Sequence, residues 1–230
     1  MTTNSTANLP TMHFVRLIPL LALSACGSST PAVVLRQPAH NRLMVDAETI
    51  RFTFDDAAHM VGQPCTCAAA GFRIAQIGLR QLGEPMPARG ELFLAASRDH
   101  AVSDVVAYLL GAARRVDPKR TAFVIDPSLS DSPDRWCFVV GDPEHRRAAQ
   151  ITFHKARLMP EPLRSHLRRV EQRAERGAAS AADRRQFRAA MTKLVRQLFD
   201  PAASADLLDA RTLPWTEVQR QYPELARHHD

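Results

Sequence analysis

Glycine is scarce in this 230-residue chain, and none of its nine glycines builds a phosphate-cradling loop, which removes the common nucleotide-binding motifs from consideration. Aromatics make up only 6% of the residues and are not interleaved with the basic ones, so no nucleic-acid-binding pattern emerges. No internal repeat is present, which excludes solenoids and propellers. After residue 23 no apolar run is long enough to cross a bilayer. Cysteine is limited to four residues, too few for a disulfide-dense scaffold. The net charge of +6 is a weak pointer to an anionic partner and does not by itself imply nucleic acid.

What is present begins with a targeting pattern. Arg16 precedes the short apolar run Leu17–Leu23, which ends in Ser24-Ala25-Cys26-Gly27. Leu23-Ser24-Ala25-Cys26 resembles a bacterial lipobox, which implies diacylation of Cys26 and a membrane attachment through an N-terminal lipid; an ordinary secretory signal that happens to contain Cys26 is the alternative. Gly27 and Ser28 follow, with no Asp behind the cysteine, and by the same resemblance this favours an outer-membrane or periplasmic lipoprotein. The expected organisation is a signal over 1–26, an irregular Ser/Pro/Ala-rich tether over 27–47, a catalytic domain over 48–159 and a basic helical extension over 160–230.

Alternation predicts a half-buried strand over Glu48–Phe54, followed by a loop over 55–64. An apolar helix follows the Cys65-Thr-Cys67 segment and stops at Gly83. Glu91–Ala96 reads as a buried strand. The run from Ser97 to Leu110 is ambiguous between helix and strand. Thr121–Ile125, Trp136–Val140 and Ala148–Ala156 read as strands, and Gly111 to Lys119 as a charged connection. From Pro160 the texture turns to Arg-rich amphipathic helices over 161–175 and 181–199, the second opened by a Ser180/Asp183 capping pair. A last short helix is expected within 214–228. The fold class is α+β.

The helix after Cys65-Thr-Cys67 carries a thiol at an N-terminus, where unpaired N–H groups stabilise a thiolate. Alone, this stretch is better read as a core helix with a structural cysteine. Order along the chain changes that reading, because His100 and then Asp126 follow. Those are the residue types and the order of a Cys-His-Asp triad. Cys67 as first helical residue turns Gly71, Ile74, Ile77 and Gly78 inward, whereas Cys65 would bring in Arg73 and Gln76. With Cys26 given to lipid, an odd set of three cysteines remains. The economical scheme bridges one of the pair to Cys137 and leaves the other reactive. A zinc site from Cys65, Cys67, His59 and Cys137 is the alternative; it lacks a second cluster at ligand spacing.

Phe123-Val-Ile-Asp126-Pro127-Ser128-Leu129, with Pro133 and Trp136 after it, resembles the bacterial protein-glutaminase family of the transglutaminase-like, papain-related superfamily. The helix opening and His100 add looser support, and the likeness spans about residues 48–140. It implies Cys67 as nucleophile, His100 as base and Asp126 as the acid orienting it, with Gln63 as an oxyanion candidate. Cys65 is then the bridge partner of Cys137. The implied fold packs the cysteine helix on an antiparallel sheet. The implied reaction is deamidation of an accessible protein-bound glutamine, with no metal and no cofactor. A cysteine peptidase or transglutaminase of the same fold, or a non-catalytic envelope-binding lipoprotein, are the alternatives.

Overall fold

In the computed structural model the described residues are 32–36, 49–112 and 122–226. The segment expected to be a signal, Cys26 included, and most of the 111–119 connection lie outside them.

Strand β1 (Ala32–Arg36) pairs antiparallel with β2 (Thr49–Thr53), Ala32 opposite Thr53. The expected tether over 27–47 therefore contains a strand. Helix α1 (Phe54–Val61) follows where a loop was expected. Its start is written in Thr53 and Asp56, since the Thr53 N–H and hydroxyl both donate to the Asp56 carboxylate at 2.6 and 2.8 Å. Gly62, at φ 84°, closes it in the left-handed conformation.

Helix α2 (Thr66–Leu82) is the central element, with Ala68, Ala69, Phe72, Ile74 and Ala75 fully buried. Burying a Phe or Ile contributes about 1.5–3 kcal/mol each, which is what holds this helix in place. Two glycines set its approach to its neighbours. A Cβ on Gly71 would lie 2.7 Å from Val105 and 2.8 Å from the Val102 carbonyl oxygen. A Cβ on Gly78 would lie 3.1 Å from Ile151 and Val140.

Strand β3 (Phe93–Ala96) leads into helix α3 (Ala101–Leu110), which resolves the ambiguous run in favour of a helix. The helical period wins because Val102, Val105, Val106, Leu109 and Leu110 are buried, while Asp104 and Tyr108 are exposed. Strand β4 (Phe123–Ile125) ends in a 3-10 turn, Pro127–Leu129, capped by Asp126. Strands β5 (Arg135–Asp142) and β6 (Arg147–His154) form a hairpin. Short α4 (Lys155–Leu158) then leads to α5 (Glu161–Glu175), α6 (Ala181–Phe199) and α7 (Pro201–Leu207). The Ser180/Asp183 capping box forms as expected. Strand β7 (Leu208–Leu213) and α8 (Trp215–Gln221) complete the described chain.

The main sheet has the order β4-β3-β5-β6-β7, with β3 and β4 parallel and every other pairing antiparallel. Helices cover both faces, so the fold is α+β with a mixed sheet. On the near face Trp136, Phe138, Val140, Ile151 and Phe153 join α2 in the larger core. On the far face Phe93, Ala95, Val139, Ala148 and Leu213 pack with Val218 and Tyr222 around α8.

The boundary expected at residue 160 does not divide the core. Leu167, Leu194, Val195, Leu198, Leu207 and Leu208 belong to the same cluster as α2. The extension is also not purely helical, because β7 pairs with β6 from Ala148↔Leu213 to Phe153↔Leu208. As an edge strand, β7 buries only its two ends and leaves 209–212 exposed. Its sequence consequently lacks the alternation that marks a half-buried strand. Among the described residues no helix is long and apolar enough to cross a membrane.

Candidate active site

Two thiols sit at the head of α2. Cys65 is its N-cap, in extended backbone at φ −124° and ψ 172°, and Cys67 is the second helical residue. The helix starts at Thr66, one residue before the Cys67 start expected from the sequence. Cys65 is drawn down to about 6, first by the hydrogen bond it accepts from the Cys67 thiol. Burial opposes this, and the backbone amides of Ala68 and Cys67 at the helix start reinforce it. Cys67 moves the other way, pushed up by its S–H acting as hydrogen-bond donor to Cys65, by its deeper burial and by the Cys65 charge; Lys155 opposes and Glu171 of α5 adds to the rise. The two thiols thus titrate together, with the lowered pKa at the very start of the helix.

Around this pair stand three residues delivered by different elements. Trp136, near the start of β5, points to the near face and is buried. Lys155, at the head of α4, lays its Nζ over the Trp136 ring at 4.4 Å from the centroid. Burial lowers the Lys155 pKa, and the nearby Arg164 guanidinium adds to this. The His100 ring lies 4.7 Å from that of Trp136. Burial, then the Lys155 charge, lowers the His100 pKa. Its Nδ1 accepts the Val102 N–H at 3.3 Å as the N-cap of α3, so the neutral ring carries its proton on Nε2. Lys155 thus acts electrostatically on both Cys67 and His100.

Sequence reasoning missed Lys155 as a site residue. A signal for it existed, since it follows an apolar strand at the same parity as Ile151 and Phe153. The site also draws on the segment beyond residue 160, because the charges of Glu171 and Arg164 reach the Cys67–Lys155 pair.

Asp126 does not join this group. Its Oδ2 accepts the Tyr222 hydroxyl at 2.7 Å and the Gln221 amide at 3.3 Å, and its Oδ1 accepts the Ser128 N–H at 3.0 Å. Burial works against its ionisation, but these bonds outweigh it and hold the carboxyl below the ordinary range. Tyr222 belongs to the far-face cluster, and there the Asp126 carboxylate is occupied. Gln63 is exposed in the short connection between α1 and α2.

The Cys65–Cys137 bridge expected from the sequence is not formed; Cys65, Cys67 and Cys137 are free thiols. The pleat explains this. Trp136 and Phe138 face α2, so Cys137 between them faces away, with its Sγ 3.7 Å from the Thr152 hydroxyl. A bridge would have to pass through the sheet.

A different titratable group lies beyond the sheet, where His154 Nε2 meets Asp209 at 2.6 Å beside a cleft of about 480 Å³ lined by Asp131, Ser132, Arg135 and Arg157. Among the described residues, Asp142, Glu144 and His145 bring ligand atoms within 4.8 Å of one another. Asp142 there is already ion-paired with Arg147 and bonded to His145 Nδ1 at 2.9 Å, so its charge is spent. His59 of the zinc alternative is exposed on α1. Compared with models of known protein families and with curated proteins, the chain matches none.

Proposed function

We infer that this chain is a cysteine-dependent hydrolase that deamidates protein-bound glutamine, built on a papain-related arrangement of a cysteine-headed helix against a sheet. The observation that carries the reading is the pair of free thiols, Cys65 and Cys67, at the start of a buried 17-residue helix, with the Lys155 charge acting on Cys67. The Cys65 thiolate attacks the amide carbon of the glutamine side chain. Amides at the start of α2 stabilise the oxyanion. The C–N bond breaks, and the Lys155 ammonium supplies the proton with which ammonia departs. Water then cleaves the thioester, leaving glutamate and the free thiol. His100, fixed against Trp136 with its proton on Nε2, donates toward the reacting oxygen. Relative to the triad expected from the sequence, the resting thiolate moves from Cys67 to Cys65, and Asp126 supports the fold instead of the imidazole. Under this reading the chain is an envelope lipoprotein acylated at Cys26, with no cofactor and no nucleic-acid partner.

Ammonia release from casein tests it. The wild type releases ammonia and Cys65→Ala does not, whereas Cys67→Ala is slowed but active. An inactive Cys67→Ala beside an active Cys65→Ala would return the nucleophile to Cys67. Peptide cleavage without ammonia would select a peptidase, and isopeptide formation a transglutaminase.

One observation favours a second reading. His100 Nδ1 and the Asp126 carboxylate are both engaged elsewhere, as in a domain that has kept the thiol helix and lost the relay. A wild type that releases no ammonia and whose thiols label slowly would identify a non-catalytic binding module.

A further inference from the structure

The two long C-terminal helices treat their charges differently. On α5, Arg164 pairs with Asp134 and Glu161, and Arg173 pairs with Asp183. The exposed Arg168 and Arg169 stand among Glu171 and Glu175. Helix α6 has no such balance. From Arg184 to Phe199 it carries Arg184, Arg185, Arg188, Lys193 and Arg196 and not one carboxylate. Those five charges compare with a net +6 for the whole chain.

Arg184 turns back to donate to the Ala179 carbonyl at 2.7 Å. The other four are exposed and make no ion pair among the described residues. At 100° per residue they fall within an arc of about 140° and span about 17 Å of helix. The opposite side of α6 is fixed in the core through Leu194 and Leu198, with Val195 buried at the margin of the stripe. The cationic stripe is therefore held rigidly outward. Between the cations the exposed positions are Ala182, Gln186, Ala189 and Thr192. There is no aromatic ring to stack a base and no large apolar anchor to form the centre of a protein interface. What remains is a contact made by charge alone.

We propose that the outer face of α6, through Arg185, Arg188, Lys193 and Arg196, docks on the anionic headgroup surface of a lipid bilayer. The chain geometry agrees with this occupant. Strand β1 begins at Ala32, six residues after Cys26, a span of about 20 Å at full extension. An acyl group on Cys26 would hold the domain within reach of a bilayer, and α6 would fix the orientation in which it lies there. The docking is a property of α6 and does not depend on the reaction proposed for the thiols.

Vesicle co-sedimentation tests it, using the full chain with Cys26→Ser so that no acyl group contributes. The chain should sediment with phosphatidylcholine–phosphatidylglycerol vesicles at low salt, and at least about tenfold less with phosphatidylcholine alone. Added salt should release it. Each cation removed should weaken binding about fivefold, so the combined Arg185→Gln, Arg188→Gln, Lys193→Gln, Arg196→Gln variant loses several hundredfold. Its urea midpoint should stay unchanged, and Arg168→Gln with Arg169→Gln on α5 should cost less than the α6 set. Equal binding of the fourfold variant and its parent would overturn the proposal. So would equal binding to the two vesicle types, or binding to duplex DNA that survives salt which releases the vesicles.

Discussion

The two faces of the central sheet are built from alternate residues of the same strands, yet they carry different chemistry. The near face, against α2, holds Cys65, Cys67, Trp136, Lys155 and His100. The far face, against α8, holds Cys137 and the hydrogen-bonded Asp126–Tyr222 pair. Residues that line up as a triad in the sequence are thus divided by the sheet. Chain order shows that nucleophile, base and acid types occur in sequence; side-chain parity determines which of them can meet. By parity, Asp126 follows Val124 into the far cluster while Phe123 and Ile125 turn to the near one.

The near thiol and the far one should differ most. Cys65→Ala should reduce ammonia release by at least about a thousandfold, as loss of a nucleophile does. Cys137→Ser should leave the rate within a factor of about two, because its hydroxyl can keep the contact with Thr152. A Cys137 variant as inactive as Cys65→Ala would mean that the sheet does not separate them.

Packing provides the next test. Gly71→Ala forces a methyl against the Val102 carbonyl and Val105, so it should cost about 1–3 kcal/mol in urea unfolding. It should also slow the near-face chemistry, since α2 and α3 carry Cys65 and His100 at their heads. Gly141→Ala strikes the Phe93 ring, 2.0 Å from the added Cβ, in the far cluster. It should cost similar stability while leaving the rate of thiol alkylation unchanged. Equal effects of the two on alkylation would remove the distinction between the faces.

Asp126→Asn gives a smaller effect and a decisive contrast. If Asp126 supports the α8 face, the variant loses about 1–2 kcal/mol through weakened bonds from Tyr222 and Ser128, and thiol reactivity is preserved. A fully stable Asp126→Asn protein with abolished ammonia release would restore the Cys-His-Asp relay that the sequence suggested.

Much of the fold was legible where a periodic pattern meets a terminator. The helix from Cys65 to Gly83, the strands around Phe123 and Phe138, and the α6 start at Ser180 and Asp183 all follow from that combination. The α1 helix was missed although Thr53 and Asp56 spell the same capping signal, because only eight residues and a single apolar stripe follow it. Strand β7 was missed because an edge strand with Asp209 and Arg211 exposed keeps no alternation. The thiol site was legible in its helix and only partly in its members. Lys155 was hidden by its short helix and by chemistry that favours histidine as a first guess. The Cys65–Cys137 bridge, by contrast, could have been rejected from the sequence, since Cys137 alternates with Trp136 and Phe138 on a strand whose large apolar residues face the core.

The paired thiols at the head of α2 are the heart of the proposed site, and pH-dependent iodoacetamide alkylation of the folded protein, with the modified peptide identified by mass, tests them most directly. A thiol drawn down ionises as pH rises through its lowered pKa, so modification should fall on Cys65 first and its rate should climb with a midpoint at about 6, against about 8.5 for an ordinary cysteine. Cys67→Ala, which removes the donor, should move that midpoint upward. First modification at Cys67 or Cys137, or a Cys65 midpoint left in the ordinary thiol range, would contradict the account.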